Sequence, residues 1–183
     1  MIWLIVLIVL IVILVLAGLG LYNGLITKRN RVENAWSQID VQLKRRHDLI
    51  PNLVETVKGY AAHERGTLDA VVQARNAAMT ATTPVAAAQA ENQVTGALRQ
   101  LFALSEAYPD LKANQNFLSL QEELSATEGR VAYARQFYND AVLTYNTGIQ
   151  KFPASVIANR MSFKPREYFE AEEGSRDTPT VQF

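Results

Sequence analysis

Cysteine is absent from this chain and histidine occurs only twice. Disulfide frameworks, thiolate nucleophiles, iron–sulfur clusters and cysteine-bound zinc are therefore excluded. The missing cysteine also removes the acceptor for a lipoprotein anchor. It says little about compartment, because disulfides are permitted outside the cytosol but never required there. An excess of charge is missing too: eighteen Lys and Arg face eighteen Asp and Glu. With no basic field to neutralise phosphates, no nucleic-acid partner is expected.

Catalytic and metal-binding patterns are likewise lacking. A di-iron bundle needs Glu-x-x-His pairs, but Lys44 precedes His47 by three positions and Tyr60 precedes His63. His63-Glu64 opens like a zinc-protease motif, yet Thr67 stands where the second histidine must be. There is no Gly-rich phosphate loop, since Gly18, Gly20 and Gly24 follow no strand. Glu122-Glu123 and Glu172-Glu173 are adjacent in sequence, which reads as solvated surface rather than a face-to-face acid/base pair. The chain is therefore read as a non-enzyme with no metal and no cofactor.

What is present begins at once. From Ile2 to Leu21 nearly every residue is Ile, Leu or Val, a run that reaches roughly 30 Å as a helix, the thickness of a bilayer's hydrocarbon core. Insertion of such a run is favourable by roughly 5 to 10 kcal/mol. Trp3 and Tyr22 bracket it as interfacial aromatics do. The apolar run is too long for a signal-peptide core and has no small-residue cleavage site after it, so residues 1–22 are expected to stay as a membrane anchor. Lys28, Arg29 and Arg31 follow closely, and the positive-inside rule then puts the rest of the chain on the cytoplasmic side. Gly20-x-x-x-Gly24 offers a face on which two copies of the helix can approach, a candidate oligomer contact.

Beyond the anchor the apolar period is helical. Val32, Trp36, Ile39, Leu43, Ile50, Val54, Val57, Ala61, Leu68 and Val71 recur in three-and-four steps, which predicts a long helix to about Met79 with Trp36 in the core. Pro51 interrupts it; the unbroken apolar phase favours a kink, with a turn at 49–52 as the alternative. Thr83 then reads as an N-cap with Pro84 in the first turn of a helix that stops at Tyr108-Pro109-Asp110. A further long helix starts near Asn116 and runs to Phe152-Pro153, and 155–161 predicts a short one. The fold class is all-α, an amino-terminal transmembrane helix followed by an elongated antiparallel bundle. The domains are drawn as anchor 1–22, bundle 23–160 and a polar, partly disordered tail 161–183, most polar from Glu170.

Three strings are specific enough to carry a resemblance: AWSQIDVQLKRRHDLIPNLVETVKGYAAHE from Ala35 to Glu64, EAYPDLKANQNFLSLQEEL from Glu106 to Leu124, and the YN-x5-YN pair at Tyr138-Asn139 and Tyr145-Asn146 with Phe152-Pro153 after it. Together they resemble the LemA family of bacterial membrane proteins. The resemblance implies an elongated four-helix bundle on a membrane helix, with the fourth helix supplied by a turn at Pro51 or by a helix after Pro153. It implies no reaction and no catalytic residues. The two tyrosines of the pair are one heptad apart and read as core, their hydroxyls at the bundle edge and the asparagine amides bonded to neighbouring helices.

The resulting functional expectation is a membrane-anchored scaffold or self-assembling module at the bacterial cytoplasmic (inner) membrane, a homo-oligomer with the lipid bilayer and another membrane protein as further partners. The alternative is a membrane-tethered sensor or adaptor that binds a partner protein or small ligand through the bundle. Lys44, Arg45 and Arg46 read most simply as a solvated face. They lie about 30 Å along the helix from Asn23, beyond the reach of a surface potential, so as a functional feature they suit a protein partner.

Overall fold

Helix α1 runs from Ile2 to Lys58 without a break. Then come α2 (Arg65–Thr80), α3 (Pro84–Ser105), a single turn α4 (Pro109–Lys112), α5 (Gln115–Gln150) and the short α6 (Ala154–Arg160). The structure, a computed structural model, describes residues 1–169, and no strand occurs among them. The polar stretch from Glu170 lies outside the described residues.

The caps follow the local sequence. Thr83 Oγ1 accepts from the Ala86 amide at 3.2 Å and Pro84 fills the first helical position, as its fixed φ allows. Asn114 Oδ1 accepts from the Phe117 amide at 3.0 Å to open α5. The first reversal differs from expectation. The chain does not continue to Met79 as one helix but leaves α1 at Gly59 and restarts at Arg65. Gly59 and Gly66 flank a stretch whose apolar phase rests on alanines, too small to specify a helix against two glycines. Ala61 is buried all the same, from a turn rather than from a helix face. This reversal, not Pro51 and not the chain after Pro153, supplies the additional helix.

The chain divides into two compact units. The second unit, Ile39–Arg135 with Tyr168 and Phe169, is a four-helix bundle. Its core joins Ile50, Leu53 and Val57 of α1, Leu68 and Val71 of α2, Val94, Leu98 and Leu101 of α3, and Phe117 and Leu124 of α5. Phe102 and Phe117 meet edge to face at 6.2 Å. Phe169 is buried under the Arg135 guanidinium, 5.0 Å from its ring centre.

The first unit is Met1–Gln38 with Gln136–Glu167. Leu25, Val32 and Ala35 of α1 are buried, as are Tyr138, Val142, Tyr145 and Ile149 of α5 and Ala158 of α6. Trp36 is only half-buried, resting on Tyr138 with ring centres 5.5 Å apart. It is a lid on the core rather than a member of it. The chain after α6 is no free tail up to Phe169: an extended stretch is hydrogen-bonded along α5. Tyr138 donates to the Glu167 carbonyl at 2.9 Å, Tyr145 to that of Lys164 at 2.9 Å, and the Asn146 amide makes two 2.9 Å bonds with the backbone of Arg166. The Asn146 amide, expected to bond a neighbouring helix, bonds the returning carboxy-terminal chain instead.

Proline within α1 leaves an identifiable debt. The residue 47 carbonyl would normally accept from the amide of residue 51, and proline has none. Arg75 of α2 replaces that amide, donating from Nε to the His47 carbonyl at 2.8 Å. Arg75→Met should therefore destabilise the second unit by about 1–3 kcal/mol by orphaning the carbonyl. Pro51→Ala restores the missing donor and should remove most of that penalty. Urea unfolding of the two single variants and the double variant checks this; additive effects would refute the link.

Candidate functional site

Polar side chains inside an apolar stripe need partners, and the second unit has three of them on one network. Arg46 and His47 are neighbours on α1, flanked at helical spacing by the core residues Leu43 and Ile50. Their side chains diverge by about 100°, yet both reach Glu91 of α3. Glu91 stands in line with Ala87, Ala88, Val94 and Leu98, all buried. Arg46, His47 and Glu91 are 2%, 7% and 4% exposed, a burial that carboxylates and guanidinium groups accept only when paired.

The pairing divides the carboxylate between two donors. Arg46 Nη1 lies 3.0 Å from Glu91 Oε2, and His47 Nε2 lies 2.6 Å from Oε1. Arg46 Nη2 donates to Thr95 Oγ1 at 2.8 Å and faces Glu128 Oε2 of α5 at 2.7 Å. Arg46 Nε, also buried, has no hydrogen-bond partner. One guanidinium thus links α1, α3 and α5, while Arg75 ties α2 to the same turn of α1.

Beside this network α3 and α5 leave a cleft of about 540 Å³. Arg46 is its buried end, Leu98, Phe102, Leu118 and Leu124 its apolar walls, and Arg99 and Glu122 its exposed rim. Both oxygens of Glu91 are engaged, and no three His, Asp or Glu side chains among the described residues converge as a metal site. Glu128, half-exposed, is the member of the network that meets solvent.

The residues singled out from the sequence fall in different places. Lys44 and Arg45 are exposed, whereas Arg46 is buried, so the three do not form one surface. The reason is helical phase: only Arg46 falls on the stripe between Leu43 and Ile50. His63 is exposed in the turn before α2. Lys28 and Arg29 are half-buried and Arg31 is exposed. Arg29 lies 5.7 Å over the Phe163 ring and Arg31 5.4 Å over Phe137, so both also pack the first unit. A Cβ added at Gly20 or Gly24 would meet nothing within 4 Å. Ile2 and Trp3 are exposed and Leu21 and Tyr22 half-buried. The helix to which these belong is long and apolar enough to cross a membrane, and its apolar window is wholly unburied. Glu91 and Arg75 escaped sequence reasoning, although Glu91's place in the buried phase of α3 was a readable signal.

Several known proteins match most of the chain. Protein LemA of Metamycoplasma hominis is 29% identical over 162 residues, covering 86% of this chain and 73% of that protein. Magnetosome protein MamQ 2 of Paramagnetospirillum magneticum is 28% identical over 186 residues, covering 87% and 68%. Magnetosome protein MamQ of Magnetospirillum gryphiswaldense is 26% identical over the same length. None of these names denotes a reaction. The LemA family profile matches residues 35–183, from the turn of α1 that carries Trp36 through the buried network and beyond, and the chain therefore belongs to the LemA family.

Proposed function

We propose that this chain is a non-enzymatic scaffold, anchored in the bacterial inner membrane by Ile2–Leu21, with its helical units in the cytoplasm and self-association as its mode of action. The observation that carries the reading is the amino-terminal end of α1, where every side chain from Ile2 to Leu16 is at least 50% exposed although almost all are Leu, Ile or Val. Water does not tolerate so long an apolar cylinder, and a bilayer does. Lys28, Arg29 and Arg31 support the cytoplasmic orientation. Open space around Gly20 and Gly24 supports a contact between copies, because no packing within the chain calls for glycine there. Confinement to one membrane and one orientation raises the effective concentration of a second copy.

Light scattering of the full-length protein in mild detergents tests the scaffold, together with in-membrane crosslinking of Gly24→Cys. A defined oligomer and a crosslinked dimer are expected. Strict monomers in every detergent with no crosslink would refute self-association. The lead would then pass to a tethered adaptor, the reading favoured by the cleft beside Arg46.

A further inference from the structure

The end of the first unit carries apolar side chains with nothing over them. Phe152 is 84% exposed, Val156 62% and Met161 58%, all within or beside the short helix α6. They contrast with Tyr138, Tyr145 and Ile149 of the same unit, which are buried. Cations neighbour them in sequence: Lys151, Arg160 and Lys164 are exposed, and among the described residues no ion pair or side-chain hydrogen bond engages them. Acidic residues are missing from this part of the sequence, with none between Asp140 and Glu167 and none before Glu33.

Two contacts fix the level of this patch along α1. Phe163, just after α6, packs edge to face on Tyr22 at 5.9 Å and lies under Arg29. Lys28 folds over α5, its Nζ 3.0 Å from where a Cβ on Gly148 would stand. The patch therefore flanks residues 22–29, the first turns of α1 past the apolar run. A bilayer's headgroup layer begins where its hydrocarbon ends. Lys28 and Lys151 also share a shallow cleft of about 300 Å³ with the hydroxyls of Thr144 and Thr147, donors suited to a phosphate.

We propose that α6 and the turns on either side of it form a second membrane contact, with Phe152, Val156 and Met161 seated in the headgroup layer and Lys28, Lys151, Arg160 and Lys164 engaging anionic phospholipid. The inference rests on the reading of Ile2–Leu21 as a membrane span. An apolar side chain next to a span meets lipid without any further translational loss, and interfacial elements combine apolar insertion with basic attraction in this way. Each cation near an anionic surface raises occupancy roughly fivefold. The contact also clamps the α5 end to the bilayer beside the anchor.

The absence of cysteine makes the test direct. Single substitutions Leu10→Cys, Val156→Cys and Ser37→Cys in the full-length chain are labelled with bimane and reconstituted in phosphatidylcholine bilayers with and without phosphatidylglycerol, doped with nitroxide lipid. Ser37 is exposed and about 24 Å past Leu21 along the helix. Quenching is expected at Leu10→Cys in both bilayers, at Val156→Cys more strongly with phosphatidylglycerol, and not at Ser37→Cys. Adding Lys151→Glu and Arg160→Glu should abolish the phosphatidylglycerol-dependent part. Quenching at Leu10→Cys with none at Val156→Cys would overturn the second contact and leave the span intact. No quenching at either would overturn both. Quenching at Val156→Cys that ignores headgroup charge and the two reversals would overturn the assignment of the cations.

Discussion

Replacement of Glu91 by alanine should destabilise the second unit by about 3–5 kcal/mol, because it strands the Arg46 guanidinium in a site that is 2% exposed. Two bonds to the carboxylate vanish together, one from Arg46 and one from His47. Glu128 continues to face Arg46, but from the solvent side and 48% exposed, where screening weakens it. Arg46→Met should cost a similar amount by stranding Glu91. The double variant, Arg46→Met with Glu91→Leu, is expected to recover much of the loss, since a buried ion pair gains little over well-packed apolar side chains. Chemical unfolding followed by circular dichroism measures all three. A Glu91→Ala change below about 1 kcal/mol would mean that the network is solvated, contrary to its burial.

Tyr145→Ala is the second large effect, about 3–5 kcal/mol on the first unit, since an aromatic side chain 1% exposed leaves a cavity between α1 and α5. Tyr145→Phe isolates the hydroxyl and should cost about 1 kcal/mol, the bond to the Lys164 carbonyl. The same tyrosine gives a pH dependence. Burial raises the Tyr145 phenol above its ordinary value, with Arg166 and Arg29 opposing less strongly, and burial raises Tyr138 in the same sense. Because the folded value lies above the unfolded one, this stabilisation is fully present below about pH 10. It is lost as pH rises through the folded value, when unfolding releases a proton that the native state holds. Melting temperature should be flat through neutral pH on this account and fall above about pH 10, less steeply in Tyr145→Phe. An unchanged alkaline fall in Tyr145→Phe and Tyr138→Phe would assign it to other groups.

Much of this fold is legible in the sequence because it rests on long apolar periods and strong caps. Thr83-Pro84, Tyr108-Pro109 and Phe152-Pro153 each mark an element boundary by a mechanism local to a few residues. The reversal after Lys58 was hidden because Ala61 keeps the apolar phase while lying in a turn. Alanine is compatible with either state, so the phase carried no information about the chain's direction. The candidate site was harder to read for a different reason. Arg46 looked like its neighbours Lys44 and Arg45, and what distinguishes it is a carboxylate forty-five positions away in α3. A charged residue on a buried stripe requires a partner, and sequence order does not say which stripe supplies it. The returning chain at 163–167 was misread for the same reason. Its backbone carbonyls accept from Tyr138, Tyr145 and Asn146 and its Arg166 amide donates to Asn146, and backbone groups leave no signature in composition.

Arg75 and Pro51 also carry a history. A proline entering α1 before an arginine stood at position 75 would leave the His47 carbonyl with no donor, whereas the arginine harms nothing if it comes first. Selection therefore favours one order of substitution, and once both are in place the loss of Arg75 is opposed for as long as the proline stays. Relatives whose α1 lacks this proline should vary freely at the position aligned with Arg75, and relatives that keep it should not.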